Sequence, residues 1–125
     1  MSNTSNLQLP YLAVGQAQKH VTLNQSLRRL DAIVQLSVLS ATTAVEPASP
    51  ADGAVYIVPA GKSGANWAAF ANWSLGYYRD GAWEQIAPRE GWLAYVRDAD
   101  QIMAYGGSTW SSISAVPTLS ATDRL

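Results

Sequence analysis

The sequence predicts an α+β fold: an extended N-terminal arm, one amphipathic helix, then a mostly antiparallel β region of about six strands in two related hairpin-containing units. Three observations predict it. Only one segment, beginning near residue 22, carries apolar residues at helical spacing. Pro47 and Pro50 close that segment off, and the chain beyond them is rich in β-formers and glycine turns. Finally, Tyr78-Arg-Asp-Gly-Ala-Trp83 reads as a tight hairpin, and its Tyr-x4-Trp frame returns 27 residues later in Tyr105-Gly-Gly-Ser-Thr-Trp110.

Size and composition set the bounds. A chain of 125 residues fits one domain with a modest core. Charged residues are 14% of it, against about 25% in an average domain. Five Trp and six Tyr stand beside a single Phe, Phe70. Such amphipathic rings suit half-exposed sheets, interfaces and sugar platforms. A surface so poor in charge stays soluble by other means, and burial in an oligomer is a common one. The net charge of −1 gives no electrostatic case for nucleic acid. With no Cys there is no disulfide framework and no thiolate metal site. The polar opening Met-Ser-Asn-Thr-Ser-Asn is not a signal peptide, and no apolar run nears the ~20 residues of a membrane helix. The expectation is a protein made in the cytoplasm, neither secreted nor inserted in a membrane.

Residues 1–19 have no period and read as an extended docking arm, with Leu7, Leu9, Tyr11 and Leu12 as its apolar anchors. Residues 20–43 hold the helix. Thr22-x-x-Gln25 fits a capping box with Thr22 as N-cap. Leu23, Leu27, Leu30 and Val34 then recur at spacings of four, three and four, and Ile33 widens the stripe. Two readings of that stripe stand open: a face lying on the domain's own sheet, or a short parallel coiled-coil seam in a trimer. Two heptads do not hold a coiled coil alone, so a seam would need support from the β part.

Residues 44–116 form the β domain, entered through a Pro-rich linker that ends in the Asp52-Gly53 turn. Expected strands are residues 55–58, 75–78, 83–86, 92–96, 101–105 and 109–113. Pro50-x-x-Gly53 leads into the first three and Pro88-x-x-Gly91 into the last three, so they form two units. The first unit is longer by 11 residues, which fall around 61–72. Tyr78 and Trp83 are expected opposite each other as a cross-strand aromatic pair, as scaffold or as a ligand platform. Residues 117–125 read as a flexible tail.

Candidates for chemistry are few. Gly61-Lys62-Ser63 ends like a phosphate loop, but Tyr56 stands where that motif needs its first glycine. His20 is the single histidine and has neither Cys nor carboxylate beside it. Asp98 and Asp100 fit a turn better than a calcium site. Asp80, Glu84 and Glu90 lie in no recognisable acid–base frame, and no serine sits in a nucleophile elbow. The expectation is no enzyme, no cofactor and no metal.

Leu9-Pro-Tyr-Leu-Ala-Val-Gly-Gln-Ala-Gln-Lys-His-Val-Thr-Leu-Asn24, followed by Leu30-Asp-Ala32, resembles the opening of a domain-of-unknown-function family. Pro50-Ala-Asp-Gly, Tyr56-Ile-Val, Asp80-Gly-Ala-Trp83 and Pro88-Arg-Glu-Gly-Trp92 are similar to later segments of that family, in the same order. The Gly-Gln-Ala-Gln-Lys-His block is the most specific part. Family members occur in phages, prophages and gene transfer agents of alphaproteobacteria and are associated with tail fibres or head spikes. No activity or functional residue is assigned to the family, so none carries over.

The resemblance implies a structural virion appendage protein, located in the virion after synthesis in the host cytoplasm. It would be a homotrimer with Leu23, Leu27, Leu30 and Val34 at its seam, docked on capsid or tail proteins by its arm and adhering to the host surface. The alternative, from another class, is a carbohydrate-binding module that offers Trp67, Trp73, Trp92 or Trp110 to host polysaccharide. The 11 extra residues around Trp67 and Trp73 are the first place to look for such a surface.

Overall fold

The computed structural model describes residues 3–11 and 19–113. Helix α1 spans Lys19–Ile33. Thr22 therefore lies inside the helix and is not its N-cap, because nothing in His20-Val21 breaks a helix before it. The chain leaves the helix at Gln35, whose φ of 55° is the left-handed conformation that ends many helices. The anchor Leu12, the Gly15–Gln18 part of the motif and the tail 117–125 lie outside the described residues.

Seven strands follow: β1 (Ser37–Val38), β2 (Val55–Ile57), β3 (Leu75–Arg79), β4 (Ala82–Ile86), β5 (Leu93–Val96), β6 (Gln101–Tyr105) and β7 (Trp110–Ser112). They form two sheets, ordered β2-β3-β4 and β1-β5-β6-β7. All pairings are antiparallel except β1 with β5. The α+β class and the six expected strands are thus observed. Strand β1 is additional. Its segment straddles the sheets: the Tyr95 amide donates to Leu36 O at 3.0 Å, while the Leu39 amide donates to Val55 O at 2.8 Å.

The repeat holds at the level of single hydrogen bonds. In the first unit the Gly53 amide donates to Tyr78 O (2.8 Å) and the Tyr78 amide to Ala54 O (2.9 Å). In the second, Gly91 donates to Tyr105 O (2.8 Å) and Tyr105 to Trp92 O (2.9 Å). Tyr78 pairs with Trp83 at 5.2 Å between ring centroids, and Tyr105 with Trp110 at 5.3 Å. The turns differ. Asp80 and Gly81 both have positive φ, 55° and 78°, as a two-residue hairpin needs, whereas Gly107 alone does so in the second loop.

The two units turn opposite faces to the shared core. In the first, Val55, Ile57, Leu75 and Ile86 are all buried. Their counterparts in the second are Leu93, Tyr95, Ile102 and Ile113, and all four are exposed. The second unit instead buries its other face, Ala94, Val96 and Trp110, with Met103 and Tyr105 packed behind. A 2.8 Å bond from the Trp110 indole to Trp73 O ties the sheets across this core.

The described part of the arm is a hook and not an extended run. Asn3 bridges to Pro10, and the hook closes through Thr4, whose amide donates to Leu9 O and whose hydroxyl accepts from the Leu9 amide, both at 2.8 Å.

Candidate functional site

Which way α1 faces is decided by a carboxylate. Asp31 is 1% exposed and accepts from the backbone amides of Asn6, at 2.7 Å, and Leu7, with Tyr77 OH at 3.4 Å. Burial, and after it the Asp31 charge, pushes the Tyr77 hydroxyl above the ordinary tyrosine range, so it remains a donor. Arg28 pairs with Asp80 and Arg29 with Glu84, which pins the same flank of the helix to the β3-β4 hairpin. Ala32 completes the buried side.

The leucine stripe is left facing out. Leu23, Leu30 and Val34 are 44%, 45% and 44% exposed, and Leu27 is half-buried. The stripe therefore does not lie on the domain's own sheet, the first of its two sequence readings. Near the C-terminal end of α1 lies the outer face of the second unit. On that face Leu93 stands opposite Ala104 and Tyr95 opposite Ile102, and the Ile113 amide bonds Ile102 O at 3.0 Å. A cleft of about 450 Å³, lined by Ile33, Leu36, Leu93, Tyr95 and Ile102 among others, joins the helix end to this sheet face. Large hydrophobics left exposed among the described residues are Leu23, Leu30, Val34, Val45, Leu93, Tyr95, Ile102 and Ile113. All but Val45 belong to the stripe or to this sheet face. Single exposed hydrophobics are ordinary, whereas four together on one sheet face make it a candidate interaction surface.

The tryptophan platform is corrected. Trp67 is 0% exposed and Trp110 7%, so neither ring offers a face to a sugar. Trp73 and Trp92 are half-buried against the core. The extra residues of the first unit serve as a cover. Trp67 opens a single 3₁₀ turn, Trp67–Ala69, and packs edge-on against Trp83 (5.3 Å) and Tyr56 (5.4 Å) on the outer face of β2-β3-β4. Gly76 makes the room: a Cβ there would stand 3.2 Å from Val58 Cγ2 and 3.4 Å from Trp67 Nε1. Glu46, in what reads from sequence as a plain linker, holds the cover down. It accepts from the backbone amides of Asn66 and Trp67, both at 2.8 Å, and from the Asn66 side chain at 3.0 Å. Burial raises the Glu46 pKa, but these bonds and one from the Trp83 indole overcome it and hold the carboxyl below its ordinary range.

The other candidates are dispersed. Leu7 and Leu9 are half-buried, and Tyr11 is buried with Arg28 and Arg79 over its ring at 5.7 and 5.6 Å. These anchors contact their own domain. Asp100 accepts from Tyr95 OH at the β5-β6 turn. Among the described residues no group of His, Asp or Glu is placed to hold a metal ion, and no helix is long and apolar enough to cross a membrane.

The profile of a family described as "Protein of unknown function (DUF2793)" matches residues 23–111. The chain belongs to that family. The DUF2793 match runs from the leucine stripe into β7, so it takes in both β units, the Trp67 cover and, but for Ile113, the exposed sheet face. The Gly-Gln-Ala-Gln-Lys-His block precedes it. No curated protein matches the chain.

Asp31 and the outer face of the second unit were missed from sequence. A signal for the face was present: Leu93-Ala-Tyr-Val96 has no polar side in its alternation, the mark of a strand covered on both faces.

Proposed function

We propose that the chain is a structural subunit of a virion appendage, a tail fibre or head spike, assembled as a homotrimer around α1. Its roles would be attachment to capsid or tail proteins and adhesion to the host surface. The observation that carries the oligomer is the outward leucine stripe, with Leu23, Leu30 and Val34 each nearly half exposed on a helix whose other flank is fixed by Asp31 and Arg28. A helix rolled to bury those residues would place the Asp31 carboxylate in water and leave two backbone amides unmet, so the monomer does not relieve the exposure by itself. The charge-poor composition agrees, and the resemblance of Leu9–Asn24 and the later segments to appendage proteins supplies the virion context. Three copies of a weak surface contact acting together gain avidity, a physical use for such an assembly.

Mass in solution tests the oligomer: three copies of the 13.4 kDa chain are expected, and a monomer at micromolar concentration would overturn it. Particle context is tested by labelling the protein in assembled particles, where a label absent from purified particles would refute the virion role. The carbohydrate reading has lost Trp67 to the cover of β2-β3-β4 and Trp110 to the core, and no observation favours it.

A further inference from the structure

The inverted burial of the two β units carries an inference about what covers the second. Repeat units of this kind cannot bury their apolar faces alone; each is covered by a neighbour, and the terminal ones need caps. Here the first unit buries Val55, Ile57, Leu75 and Ile86 against the second unit and α1, and its opposite face is capped by the Trp67 turn. The second unit buries the face that carries Tyr105 and Trp110. The face equivalent to the first unit's core, Leu93, Tyr95, Ile102 and Ile113, has no cap among the described residues. Those four side chains are 55%, 41%, 40% and 38% exposed, against 2% or less for each counterpart in the first unit.

We propose that this face is a contact between copies of the chain in which the same face of each copy meets about a rotation axis, as a second part of the trimer seam. The proposal rests on the oligomeric reading above and extends it from the helix to the sheet. Three features favour a second copy as occupant. The residues paired across the face, Leu93 with Ala104 and Tyr95 with Ile102, carry no charge, and the charged groups Arg97 and Asp100 lie beyond the ends of the strands, as at the rim of an interface. The face also adjoins the C-terminal end of α1, where Ile33 lines the shared cleft. The face and the stripe leave between them on the order of 500 Å² of apolar side chain, as much as the largest patch of a typical monomer and a large share of the ~800 Å² per partner in a standard interface.

The Trp67 cap then decides the geometry. A copy stacked head-to-tail would have to offer the outer face of its first unit, and that face is closed by Trp67 over Gly76. Stacking of one copy's open face on the next copy's outer face, which runs on into a filament where its rotation does not close, is blocked. What remains is a closed ring in which the open face of every copy turns toward one axis.

The chain has no Cys, so a single introduced thiol reports position cleanly. Ile102→Cys treated with a short bis-maleimide is expected to give cross-linked dimers of the chain. Val45→Cys, exposed but away from the face, is expected to give none. In parallel, Leu93→Asp with Ile102→Asp is expected to lower the mass from three copies to one with unchanged tryptophan fluorescence. If the wild type is trimeric while the thiols do not cross-link and the double variant stays trimeric, this proposal is overturned and the helix seam stands. If the wild type is a monomer, the oligomeric reading fails, and this contact with it. Should the double aspartate variant not fold, Leu93→Ser with Ile102→Thr, which keeps the strand, reads the same change in mass.

Discussion

Replacing Asp31 by alanine removes the acceptor that ties the N-terminal hook to α1 and fixes which side of the helix faces out. The carboxylate takes two backbone amides, Asn6 at 2.7 Å and Leu7, and a longer contact from Tyr77 OH at 3.4 Å. Hydrogen bonds to a charged group contribute about 1.5–3 kcal/mol each when buried. The two amides are only partly buried, so water replaces some of the loss, and about 3 kcal/mol in total is the expected cost. For a domain of this size that corresponds to a fall in Tm of roughly 10–20 °C. Urea unfolding followed by tryptophan fluorescence reads the stability, and Trp67 and Trp110, both buried, make that signal sensitive to the core. Amide exchange at Asn6 and Leu7 reads the hook itself and is expected to accelerate more than exchange in β3. Asp31→Asn keeps an acceptor but not the charge and is expected to lose about half as much. A loss below about 1 kcal/mol, with exchange at Asn6 and Leu7 unchanged, would refute the role given to Asp31.

Glu46→Gln is expected to cost about 1 kcal/mol at neutral pH, a figure kept small because the clasp is partly solvated. The Glu46 pKa is depressed in the folded state, so its contribution is present above the unfolded value and is lost as pH falls below 4.5; the variant and wild type should converge there in pH-dependent unfolding. Trp67→Ala is expected to destabilise by about 3–5 kcal/mol while a glycan-binding assay shows no change specific to this residue. Gly76→Met puts into the first unit the residue that Met103 supplies at the equivalent place in the second. It should destabilise when Trp67 is present, by about 1–3 kcal/mol through overpacking, and recover stability when Trp67 is Ala. Additive effects in that double-mutant cycle would show that Trp67 does not fill the place of the missing side chain.

The strand order within each unit was legible because hairpin signals are local: Asp80-Gly81 sets its own turn, and the Tyr-x4-Trp frame sets its own register. The helix was legible from its period, but not its orientation, because period says which residues share a face and not what that face meets. The deciding group was Asp31, a charge that in sequence looks like one more solvated helix residue and in the fold is buried by donors 24 and 25 residues away. β1 escaped for a related reason. Two residues pairing in parallel with a strand beyond the whole first unit leave no alternation to read. The Trp67 cover shows the limit on aromatic arguments: an inserted loop rich in Trp reads equally as platform or plug. Gly76 settles it by leaving a space for Trp67 to fill.

The repeat and the leucine stripe point the same way for independent reasons. A duplicated unit that stacks one face on the opposite face of its copy always leaves two unlike ends. One end here carries 11 additional residues whose tryptophan closes it, and the other carries four large apolar side chains and no added sequence within residues 93–113. Had both ends been open, head-to-tail contact would be available and would run into fibres wherever its rotation did not close; had both been closed, the domain would be self-sufficient. One closed and one open end permits association without runaway growth, provided the open ends meet each other. The C-terminal end of α1 reaches the open end through the cleft that Ile33 lines. An association driven by the helix alone would leave Leu93 and Tyr95 exposed, and one driven by the sheet alone would leave Leu23 and Leu30 so. Covering all of them by one symmetric contact accounts for the exposed apolar residues of both elements, and it leaves Val45 as the single large hydrophobic among the described residues that stays in water.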